Sequence, residues 1–162
     1  MARGGGLFLM LIGTGLISAI AFSGDALVNH TVFFIGVGVA TFSLFLSGRL
    51  SQGTPTRGQI AALAFAITLE VTLLVVTART LPQGTMEHVR WLWVSVVVGI
   101  HFLPMAWCFG PEMLLLGGAC IVTAGVGLLL PQVPYEIIGV FDGGLKLGVG
   151  VWLFVQRRQP RG

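Results

Sequence analysis

Apolar runs long enough to be helices alternate along the 162 residues with short polar or proline-containing breaks. A helix needs roughly 17–25 residues to cross a hydrocarbon core about 30 Å thick. On that measure the pattern predicts spans over about 5–22, 32–48, 60–78, 91–109, 111–130 and 134–155. The breaks carry turn chemistry. Ser23-Gly24-Asp25 closes the first run, Ser51-Gln52-Gly53-Thr54-Pro55 separates the second from the third, and Leu81-Pro82-Gln83-Gly84-Thr85 opens the longest polar loop. Gly110-Pro111 and Pro131-Gln132-Val133-Pro134 read as tight reversals, because proline fits a first helical turn and opposes continuation of a preceding helix. Connections this short make consecutive helices antiparallel neighbours. The expected architecture is an all-α integral membrane protein, a six-transmembrane-helix bundle that forms a single transmembrane domain over residues 1–162.

Composition points the same way. The chain is 55% hydrophobic and 9% charged, against roughly 25% charged residues in soluble domains. No polar stretch is long enough to fold separately. With a cytoplasmic N-terminus, Arg3, Arg49, Arg57, Arg157, Arg158 and Arg161 fall inside and Arg79 and Arg90 outside. That asymmetry favours an N-in/C-in orientation. The first run also resembles a cleavable signal peptide, since Arg3 makes a thin basic start and Ala19-Ile20-Ala21 looks like a cleavage site, but the run is slightly long for that role. The net charge of +3 does not imply nucleic acid. The arginines lie at helix ends and in the tail, where orientation signals and lipid headgroups account for them. The lipid bilayer is the expected partner. Cys108 and Cys120 fall within apolar segments and read as small hydrophobes, with no disulfide framework and no zinc spacing.

Four ionisable side chains then stand out inside the apolar runs: Glu70, His101, Asp142 and Lys146. A charge at the bilayer centre costs ~2.5–3.5 kcal/mol on insertion scales, so such groups are paired or face a polar cavity. Gly139, Asp142, Gly143, Lys146 and Gly150 recur at helical spacing and share one face. The glycines mark that face for close helix packing. Asp142 precedes Lys146 by one turn, the favourable order for an ion pair. The bland reading is a self-neutralised pair that fixes register; the other is a proton- or substrate-handling pair. Glu70 shares its face with Ala62 and Ala66 and has no basic residue within a helical turn. Its partner is expected on another helix, Lys146 or, second, His101. His101 lies just before Pro104, whose missing N–H frees the carbonyl of residue 100 and is expected to kink the helix. A second buried histidine for haem ligation is absent from the pattern. Glu112 and Glu136 open helices soon after proline, where a carboxylate complements the helix dipole. Trp91, Trp93, Trp107 and Trp152 lie near helix ends as interfacial anchors. Gly-x-Gly pairs recur at 13/15, 36/38, 125/127 and 148/150 and mark close helix packing, within the chain or in a homo-oligomer.

Two stretches resemble known families. Gly99-Ile100-His101-Phe102-Leu103-Pro104-Met105-Ala106 is similar to the Gly-x-His-Phe-x-Pro-x-Ala signature of small multi-spanning bacterial membrane proteins of unknown function. That resemblance implies a bacterial inner membrane and no particular activity. Asp142-x-x-x-Lys146-x-Gly148-x-Gly150 looks like the last helix of microbial rhodopsins. It would make Lys146 a retinal Schiff-base lysine and Asp142 part of its counterion. The span count and the lack of a third-helix Asp-x-x-Thr-x-Pro-like motif depart from that family. Three function classes follow. A small transporter, ion-coupled carrier or channel acting on an ion or small molecule fits the midplane ionisable groups best. A structural or partner-binding protein is the alternative. No Gly-x-Ser-x-Gly, His-Glu-x-x-His or paired-carboxylate motif supports an intramembrane enzyme.

Overall fold

A computed structural model describes residues 2–21, 35–36, 39, 56–82 and 87–155. They form the long helices α1 (Ala2–Ala21), α2 (Arg57–Thr80), α3 (Glu87–Phe109), α4 (Glu112–Leu129) and α5 (Tyr135–Val155). Local chemistry sets several ends. Thr56 caps α2 in a reciprocal box: its hydroxyl accepts from Gln59 N–H at 3.2 Å, and its own N–H donates to Gln59 Oε1 at 3.1 Å. Leu81 and Pro82 stop the helix. Gly110 turns α3 into α4 with φ 116°, a left-handed conformation that glycine adopts without penalty. Glu112 and Glu136 lie in the first turns of α4 and α5.

The described residues overturn the six-transmembrane-helix bundle. They hold five long helices, of which α2 to α5 are long and apolar enough to cross a membrane. α1 itself runs 20 residues, and the apolar stretch described within it is Gly5–Ser18. The expected second span, 32–48, lies outside the described residues except at Ile35, Gly36 and Val39. The expected count took every apolar run as a crossing, whereas four helices among the described residues combine the length and hydropathy that a crossing needs. The N-in/C-in orientation was read from the loops of that six-span order and loses its basis with it. What stands is a multi-span, all-α membrane protein.

The packing runs α2–α3–α4–α5–α1, each neighbour antiparallel to the next. Two seams are glycine contacts. A methyl on Gly99 would lie 2.9 Å from the Gly117 carbonyl, and one on Gly117 would lie 2.6 Å from the Gly99 carbonyl. Across α1 and α5, Gly6 faces the Gly150 carbonyl and Gly13 the Gly143 carbonyl, each at 2.6 Å from the position a Cβ would take. Small residues let helix backbones approach this closely, which substitutes for the hydrophobic drive that lipid lacks. Gly139 instead faces the side chain of Ile20. The buried cluster joins Leu9, Ala66, Phe102, Met105, Met113, Leu116, Cys120 and Leu153, so every long helix contributes to it. Among the large apolar side chains left exposed are Phe65, Val71 and Val75 on α2, Leu115 and Leu129 on α4, and Phe141 and Trp152 on α5. That inversion fits a chain whose outer surface meets lipid.

Candidate functional site

The ionisable groups separate into two pairs on different seams. The first joins α2 to α3. His101 is 7% exposed, and its Nδ1 lies 3.0 Å from the Ala66 carbonyl oxygen and 3.3 Å from Glu70 Oε2. Two acceptors converge on one ring nitrogen, so that nitrogen carries the hydrogen; a bare Nδ1 would set lone pair against lone pair. The tautomer is thus fixed by the bonding, as second partners commonly fix an imidazole. The Glu70 side chain remains 28% exposed. Ala66 is the buried residue of α2, and its small side chain lets α3 come close enough for the ring to reach its carbonyl. Two turns further along the same seam, Cys108 Sγ donates to the Gln59 carbonyl at 3.1 Å. Phe102 stands edge-on to the His101 ring, with centroids 5.7 Å apart.

Pro104 lies inside α3, which continues through it to Phe109. Its missing N–H leaves the carbonyl of residue 100 without its usual helical donor, next to His101 in sequence.

The second pair lies on α5 and faces α4. Lys146 Nζ donates to Asp142 Oδ2, one turn earlier, and to Cys120 Sγ at 3.7 Å. Asp142 and Lys146 are each 2% exposed. Gly143 and Gly150 turn toward α1 while Asp142 and Lys146 meet α4, so the glycine face and the charged face of α5 are adjacent and serve different neighbours. Cys120 is the residue that sequence reasoning missed. It lies in the buried cluster as a small hydrophobe should, and what the spacing does not show is that its sulfur also meets Lys146.

The register relates the pairs in height. Ala66 opposite His101 and Gln59 opposite Cys108 put Glu70 level with about Val97. Gly99 opposite Gly117 carries that level to about Ala119, beside the Cys120–Lys146 contact. The pairs therefore lie at similar depth, and apolar side chains occupy the ground between them. Ala66 and Cys120, a partner from each pair, belong to one buried cluster with Phe102 and Leu116. Glu70 meets His101 rather than Lys146, because α2 packs on α3 and α5 packs on α4 and α1. Among the described residues, no group of three or more His, Cys, Asp or Glu side chains is placed to hold a metal ion.

Comparison with known proteins gives a family and no activity. The chain belongs to the family of unknown function DUF6609, whose description matches residues 1–162. No curated protein and no solved structure matches it. Neither the rhodopsin resemblance of α5 nor the motif resemblance of α3 gains support from this.

Proposed function

We propose that this member of the family is a small proton- or ion-coupled carrier or channel, and that Glu70 and His101 form its protonatable element. The observation that carries the reading is the convergence of the Ala66 carbonyl oxygen and the Glu70 carboxylate on His101 Nδ1. A proton added to the ring makes an imidazolium that holds the carboxylate more tightly. A proton added to Glu70 removes the ion pair. The number of protons at the seam therefore sets how firmly α2 is latched to α3. A titratable group that biases a packed element between two arrangements is the general form of such a switch. Ionisable residues inside spanning helices commonly serve proton relays and ion-coupled carriers. A bacterial inner membrane is the home this reading assumes, on the α3 motif alone.

Purified protein in liposomes tests this. A pH-sensitive dye inside the vesicles should report proton movement in the wild type and a loss of about tenfold or more in Glu70→Gln. Movement unchanged by that substitution contradicts the reading.

One observation favours a structural or partner-binding role instead: the close glycine seam between α1 and α5 beside a self-neutralised Asp142–Lys146 pair. On that reading, replacing Asp142 and Lys146 together lowers accumulation of folded protein and has no separate effect on flux.

A further inference from the structure

The Asp142–Lys146 pair leaves hydrogen-bonding capacity unused. Among the described residues, Asp142 Oδ1 is the buried side-chain oxygen or nitrogen without a partner. An ammonium has three N–H donors; Asp142 Oδ2 and Cys120 Sγ take two of them. One strong acceptor and one strong donor therefore remain on side chains that are 2% exposed. Buried polar atoms in folded proteins are nearly always satisfied, by protein or by a bound molecule.

We propose that this pair is a binding site for one small uncharged molecule that both donates and accepts a hydrogen bond, of the water, amide or urea class. The proposal rests on the carrier reading above and names its solute. Charge decides the class. The pair is already neutral, so an added cation or anion would leave a net charge in an interior where desolvating an ion costs several kcal/mol. A neutral donor–acceptor molecule satisfies Oδ1 and the spare N–H with no charge left over. Size is limited as well, because Gly13 and Gly143 bring α1 and α5 into backbone contact beside the pair. Cys120 supplies a weakly polar wall from α4.

Proteoliposomes carrying the full chain test the proposal with water, formamide and urea as probes, followed by light scattering after an osmotic step. Sodium and chloride fluxes are measured in parallel. At least one neutral probe should cross about tenfold faster than in protein-free vesicles, with no matching rise for the ions. The double variant Asp142→Leu with Lys146→Met, which leaves no lone buried charge, should return to the protein-free rate. Should that variant fail to accumulate, Lys146→Arg keeps the charge balance while altering donor geometry, and should change the ratio of formamide to urea rates. Flux of all three probes at the protein-free level overturns the proposal, and so does neutral flux untouched by both variants. Collapsing the pH gradient with a protonophore separates this site from the carrier reading. Neutral flux that neither needs nor moves protons keeps the site and removes the coupling. Proton flux sensitive to Glu70→Gln without neutral-solute movement removes the site and keeps the carrier.

Discussion

Asp142 and Lys146 are buried to the same degree and depend on each other for charge balance. Breaking a buried pair on one side is expected to cost about 3–5 kcal/mol, because it strands an uncompensated charge, whereas replacing both partners with apolar residues is often near neutral. Asp142→Leu or Lys146→Met alone should therefore destabilise by about that amount, and the double variant by much less, when unfolding is followed in mixed micelles. Equal costs for the singles and the double would show that the pair is not coupled. Cys108 allows a milder test. Its thiol donates to the Gln59 carbonyl, so Cys108→Ser should keep α2 attached while Cys108→Ala loses about 1 kcal/mol. The Asp142–Lys146 pairing was readable from spacing, since both residues stand on one helix. The choice of His101 over Lys146 for Glu70 was not, because it depends on which helices touch and in what register. No local pattern in the chain encodes the Ala66 carbonyl as a partner at all.

At the level of helices, some glycines meet backbone, some meet side chains and some meet open space. Gly6, Gly13, Gly143 and Gly150 hold α1 against α5. Alanine at Gly13 or Gly6 must push the helices apart, since the obstructing atoms are backbone, and overpacking of this kind costs about 1–3 kcal/mol. Gly118, Gly125, Gly144 and Gly148 have nothing within 4 Å of an added Cβ. Alanine there should be neutral or stabilise the helix by up to about 1 kcal/mol. Thermal unfolding of the two sets side by side tests the assignment; equal effects would remove the α1–α5 seam as a source of stability. Sequence spacing gives the glycine face of α5 but not its neighbour, because several helices offer small residues in similar arrays.

For the molecule as a whole, α2 is the element least committed to the interior. Ala66 is its buried residue and Leu63 packs against the same cluster; its polar contacts with α3 are those of His101 with the Ala66 carbonyl and Glu70, together with the Cys108–Gln59 bond. Those polar contacts lie within an apolar interface along a 24-residue helix. Membrane character was legible from composition, since so apolar a chain cannot bury its surface in a soluble core of this size. The number of spans was not, because an apolar run shows where a helix can form and not whether it crosses: four of the five long helices among the described residues have the length and hydropathy of a span. The central claim, that proton occupancy at Glu70 and His101 sets the hold of α2 on α3, is open to one direct measurement. Spin labels at the exposed positions Val75 and Trp93, with Cys108 and Cys120 replaced by serine, report the α2–α3 distance in lipid. In the otherwise wild-type chain the distances should lengthen or broaden when the pH falls far enough to protonate the carboxylate, and in Glu70→Gln they should already be long at neutral pH. A single distance distribution, unmoved by pH and by Glu70→Gln, would contradict the account.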